Sequence, residues 1–176
     1  PLQGALCGGI HALPDEVDFR MGTMAEPLAC CLNAQSRLRL HPTDRVLIMG
    51  GGIMGILHAI AAGEKGVTAL AVCEPLAARR RIAEACGVEL VLETGRDMGM
   101  EQIMDWTRGR GADVIILASS EVQLDQDLFG LLARGGRVSL FSGGMPDDQG
   151  LGIPMSAVHY REAPFFAAYG CRSKDN

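Results

Sequence analysis

Arg45-Val46-Leu47-Ile48-Met49-Gly50-Gly51-Gly52-Ile53-Met54-Gly55 is the stretch that decides how this chain is read. It runs from an apolar tetrad through a glycine turn into Ile56–Ala62, a segment of helix-forming composition. Gly50, Gly52 and Gly55 give the spacing G-x-G-x-x-G, which is weak alone in a chain with 23 glycines. Three features of context strengthen it: a strand before, a helix after, and an acidic residue about twenty positions on. Glu74, at the end of the next apolar run, supplies the third. Gly50 permits the tight turn, Gly52 lets the backbone approach a pyrophosphate, and Gly55 allows close packing of helix on strand. The unpaired N–H groups and the dipole of the helix N-terminus would then hold phosphate. Gly50, Gly52, Ile53, Met54 and Gly55 are accordingly the candidate phosphate-turn residues. A glycine-rich βα turn without a ligand is the alternative.

Working outward, strands are expected at 45–49, 67–73, 90–92, 113–118, 138–141 and 165–169. Helices are expected at 22–38, 53–64, 76–86, 101–107 and 124–133. Residues 142–152 read as a glycine- and aspartate-rich loop, and 1–20 as the end of a β-rich region followed by a turn. In the first helix Met24, Leu28, Cys31 and Leu38 recur at helical spacing, with Glu26-Pro27 suited to its first turn. Near-continuous apolar strands alternating with helices predict an α/β fold. Its form is a doubly wound parallel sheet of Rossmann type, ordered 3-2-1-4-5-6. The closing Ser173-Lys174-Asp175-Asn176 carries residues that start helices, so the sequence reads as a fragment, and its opening on Pro1 reads as either a processed chain or an excised piece.

Composition narrows the function. The 176 residues are 48% hydrophobic and 21% charged, with net charge −5. An acidic balance gives no support for nucleic-acid binding. No apolar run reaches membrane-spanning length and no signal peptide opens the chain, which suggests a cytoplasmic protein with no membrane partner. None of the six cysteines forms a C-x-x-C pair, so reduced, buried thiols are expected rather than a zinc knuckle.

Glu74 can accept hydrogen bonds from the hydroxyls of an adenosine ribose and repel a 2′-phosphate, favouring NAD over NADP. A solvated charge at a strand end is the competing reading. Arg79, Arg80 and Arg81 complicate the choice, because nearby arginines can hold that extra phosphate. The loops after strands four and five, carrying Ala118, Ser119 and Gly143, lie where the nicotinamide side of a dinucleotide would sit. A methyltransferase is disfavoured because its turn needs glycine where Met54 stands.

These features together resemble the zinc-dependent medium-chain dehydrogenase/reductase superfamily. Ala25-Glu26-Pro27-Leu28-Ala29, the glycine turn, Gly111-Ala112-Asp113-Val114-Ile115-Ile116 and Gly135-Gly136-Arg137-Val138 carry the likeness. His159-Tyr160-Arg161-Glu162 resembles the polyol branch that includes sorbitol and galactitol-phosphate dehydrogenases. The resemblance implies oxidation of a secondary alcohol or polyol to a ketone, with hydride passed to NAD and zinc present in the intact enzyme. It implies that 1–21 is a remnant of a catalytic domain. Residues 22–176 would then be the dinucleotide-binding domain, truncated at its C-terminal end. Arg79 matches an arginine covering the adenosine end of the cofactor. Glu26 matches a glutamate near the catalytic zinc, although a carboxylate serving the helix dipole explains it equally. The family's Gly-His-Glu zinc motif is missing, so no catalytic residue is assigned and the piece alone is expected to be inactive. Relatives pair through the last strand, implying a homo-oligomer. A non-catalytic NAD-binding sensor is the alternative function. His58 and His159 read as satisfied structural histidines.

Overall fold

Val46–Met49 is buried along its whole length and forms β1, the centre of a six-stranded sheet. The computed structural model describes residues 12–93, 99–122, 125–142 and 153–170. Before β1 come a single turn, α1 (Phe19–Gly22), capped by the Asp18 side chain, and the long α2 (Ala25–Leu38). After it follow α3 (Ile53–Glu64), β2 (Leu70–Cys73), α4 (Ala77–Ala85) and β3 (Leu90–Leu92). The second half contains α5 (Met100–Trp106), β4 (Ala112–Leu117), α6 (Gln126–Gly130), β5 (Leu132–Leu140), α7 (Met155–Arg161) and β6 (Phe165–Ala167). The order is β3-β2-β1-β4-β5-β6 and every pairing is parallel, as the alternation of strands and helices predicts.

Side chains alternate across a strand, so β1 feeds two cores. Leu47 and Met49 join Ile103, Ile115, Leu117, Leu128 and Phe129 on one face. Val46 and Ile48 join Leu38, Ala59, Ala62, Val72 and Ile116 on the other. Fully burying one such aliphatic side chain is worth about 1.5–3 kcal/mol. The four of β1 therefore hold the centre of the sheet firmly.

Several boundaries differ from expectation. The second strand starts at Leu70 rather than 67, because Gly66 turns with φ 85° and the Val67 N–H closes on the Ala62 carbonyl. The helix expected over 124–133 ends at Gly130, because Leu132 already pairs with Ala112 in the sheet. Strand β5 is correspondingly long, with a register shift between its pairing to Ala112 and to Val114. Helices α1 and α7 were not expected. Residues 143–152, most of the expected loop, fall outside the described residues. Among the described residues, no helix is long and apolar enough to cross a membrane.

Candidate cofactor-binding site

The turn leaving β1 is built by three glycines with different constraints. Gly50 adopts φ 109°, a left-handed conformation that side chains resist, and its N–H donates to the Cys73 carbonyl at 2.8 Å. A Cβ on Gly55 would lie 1.8 Å from the Gly50 carbonyl oxygen, so the helix can approach the turn only with glycine there. Gly52 is different. As N-cap of α3 it has φ −69° and ψ −176°, open to any residue, and a Cβ would meet nothing nearer than Arg79 Nη1 at 4.0 Å. No side chain caps α3, so the N–H groups of its first turn remain available. Ile53 is 66% exposed beside this open end, whereas Met54 is half-buried with its carbonyl 3.7 Å from Cys31 Sγ.

Glu74 reaches the turn from the end of β2. It is 2% exposed, which excludes a solvated charge. One carboxylate oxygen accepts the Gly51 N–H at 2.8 Å and the other the Leu76 N–H at 2.9 Å. Sequence reasoning passed over Gly51, yet its Cβ would stand 2.9 Å from that of Glu74. Arg79 Nη1 lies 3.8 Å from Glu74 Oε2, with its side chain about half exposed. Arg80 instead donates to the carbonyls of Glu74 and Pro75 and pairs with Glu93. The three consecutive arginines thus separate, and Arg79 is the one beside the turn.

Ala118 and Ser119 are brought against Gly50: its Cβ would lie 3.1 Å from Ala118 backbone atoms and 3.0 Å from Ser119 Cβ. The Ser142 hydroxyl donates to the Ser119 carbonyl, joining the loops after β4 and β5. Gly143 lies outside the described residues.

Helix α2 packs beside α3. The contacts Cys31–Met54 and Gln35–His58 advance together along both helices, so the two run parallel and Glu26 lies toward the same end as the turn. Glu26 is exposed and accepts from Cys30 Sγ at 3.1 Å. Catalytic zinc takes three protein ligands. Among the described residues, no group of three His, Cys, Asp or Glu could hold a metal, so these residues do not fit a complete zinc site.

Between α2 and α3 runs a polar seam that the sequence did not reveal. Lys65 donates to Gln35 Oε1 at 3.1 Å, which turns the Gln35 amide toward the His58 carbonyl at 2.8 Å and His58 Nδ1 at 3.3 Å. His58 is fully buried, stands edge-on to Phe141, and keeps Nε2 without a partner among the described residues. It is therefore only half satisfied, contrary to expectation. Burial, and then the Lys65 charge, pushes its pKa down to about 3. His159 lies exposed on α7 against Tyr160. Burial pushes the Cys31 and Cys73 thiols up to about 12, in line with buried thiols. Cys86, at the end of α4, is exposed and corrects that expectation.

No family model matches the sequence. The chain is 33% identical over 129 residues to a 2-dehydro-3-deoxy-L-galactonate 5-dehydrogenase of Pseudoalteromonas atlantica, covering 73% of this chain and 37% of that protein. It is 30% identical over 137 residues to a sorbitol dehydrogenase of Halalkalibacterium halodurans, covering 76% and 40% respectively. This chain is a homologue of the zinc-type alcohol and polyol dehydrogenases. A solved structure from Sinorhizobium meliloti 1021, described as a zinc-binding dehydrogenase bound to NADP, superposes with TM-score 0.78 and 25% identity. That match covers 90% of this dehydrogenase homologue and 47% of the other chain. The homologue thus spans less than half the length of each of these three relatives.

Proposed function

We propose that this chain is the nicotinamide-cofactor-binding domain of a zinc-dependent dehydrogenase that oxidises a secondary alcohol or polyol to its ketone. In this reading residues 22–176 hold NAD and residues 1–21 belong to a catalytic domain. When bound, NAD supplies the hydride acceptor. The chain's own residues bind and orient it. The N–H groups opening α3 receive the pyrophosphate at Gly52, Ile53 and Met54, and Arg79 covers the adenosine end. Ala118, Ser119 and Gly143 line the nicotinamide side. Glu74 keeps the turn closed through Gly51. Each carboxylate oxygen retains acceptor capacity for a ribose hydroxyl, and the negative charge disfavours a 2′-phosphate. Glu26 is the carboxylate assigned to the metal, whose remaining ligands lie beyond the described residues. The enzyme would work in the cytoplasm as a homo-oligomer paired through β6, without nucleic-acid or membrane partners.

The observation that carries the proposal is Gly52. Neither its backbone angles nor its packing requires glycine, so the open space before α3 is what the missing side chain provides. Titrating NADH and NADPH against the wild type and Gly52→Val tests this. The variant should fold and bind either nucleotide at least about tenfold more weakly, a loss of about 1.4 kcal/mol. Equal binding by both proteins would overturn the cofactor site. Tighter binding of NADPH than NADH by the wild type would overturn the choice of NAD.

A further inference from the structure

At the opposite end of the sheet lies a second, unrelated hollow of about 570 Å³. Its walls include Arg37, from the last turn of α2, Arg39, which caps that helix, and Arg137, from β5. Arg137 pairs in register with Val114, and Val114 with Val46 at the start of β1. The glycine turn follows Met49 at the other end of that strand. A ligand in this hollow would therefore be distinct from the cofactor.

Three features point to an anion. First, among the described residues no carboxylate lines the hollow, although the whole chain carries net charge −5. Asp44 bonds one Arg137 Nη and also accepts the His41 N–H, while Arg37 and Arg39 have no partner among the described residues. Second, the Arg137 side chain is 24% exposed and lines the hollow, so its guanidinium keeps donor capacity beyond the pairing with Asp44. Third, Arg39 stands at φ 50° and ψ 54°, the left-handed helix-capping position that glycine or asparagine takes with least strain. An arginine there places a guanidinium on the wall of the hollow, where glycine or asparagine would leave none. Leu38, fully buried, and Phe166 add an apolar floor, which favours an anion carrying an organic group over a fully hydrated ion.

We propose that this hollow binds a small organic phosphate, held by Arg37, Arg39 and Arg137 with its organic part against Phe166. Guanidinium groups match phosphate oxygens through paired, charge-assisted hydrogen bonds. The inference is independent of the nicotinamide reading.

Arg39→Gly makes the test decisive, because it removes the guanidinium while relaxing the helix cap. Without ligand this variant should melt about 2 °C higher than the wild type, so lost binding cannot be ascribed to unfolding. Inorganic phosphate and phenyl phosphate would be titrated by calorimetry at ionic strength fixed with potassium chloride, with and without saturating NADH. The wild type should bind both probes, phenyl phosphate the more tightly, whether or not NADH is present. Arg39→Gly, and separately Arg37→Ser, should each weaken them at least about tenfold. Undiminished phosphate binding by both variants, or its abolition by NADH, would overturn the site. If the chain bound no NADH, the response to the arginine substitutions would still decide this proposal.

Discussion

The two glycine corners of this sheet look alike in sequence and differ in what they demand. Gly111 enters β4 at φ 82°, and a Cβ there would sit 2.7 Å from the backbone of Leu132 and Ala133. That corner is closed on itself, and its glycine serves packing. The corner leaving β1 also contains a glycine forced by packing, Gly55, but places beside it one that nothing in the fold requires, Gly52. Glycine content alone thus says little about function. A glycine with ordinary φ and empty space before it says much more.

Four substitutions probe that contrast in descending order of effect on stability. Gly55→Ala must drive its methyl into the Gly50 carbonyl and should destabilise the chain by more than about 4 kcal/mol. Urea denaturation showing a much smaller loss would mean the turn can re-form with the helix further out. Gly111→Ala combines a left-handed backbone with overpacking and should cost about 2–4 kcal/mol in the same measurement, without changing the affinity of the remaining folded protein for NADH.

His58, on the inner side of α3, should show its effect through pH. Its folded pKa of about 3 lies below the ordinary 6.5, so the unfolded chain takes up the proton first. The stability that depends on neutral His58 is fully present above pH 6.5 and is lost progressively as pH falls toward 3. Near pH 5 the loss should reach about 2 kcal/mol. Denaturation of His58→Gln between pH 7 and 5 should show a correspondingly shallower fall. An unchanged slope would remove the seam from any part in holding α3. The smallest effect belongs to Gly52→Val, which should change stability by no more than about 1 kcal/mol despite its large effect on nucleotide binding.

What was legible in the sequence follows the range of the interactions. Strand β1, the glycine turn and the strand order depend on short apolar runs and on crossover rules, and they were read directly. Helix α7 has only seven residues and no side chain capping its N-terminus, so it left no signal between flanking loop and strand. The start of β5 was hidden because Leu132 and Ala133 continue a plausible helical pattern, and the partner that captures them, Ala112, lies in another strand. Glu74 was picked out for its place at a strand end. That it closes on Gly51 depends on two strand ends meeting, which no local pattern encodes. The Gln35–His58–Lys65 seam is still more remote, because it exists only once α2 lies parallel to α3.

The parallel pairing also bears on how the chain reaches this state. No neighbouring strands can be joined by a tight turn; each pairing waits for a whole crossover segment. At the junction of the two halves, the Arg45 N–H reaches Asp113 Oδ2 across 68 positions. Loop closure must be met there before β1 and β4 can reward each other with burial. The rim on which Gly50, Ala118 and Ser119 converge is therefore completed by the strand pairing of greatest sequence separation, the one that carries the largest loop-closure cost.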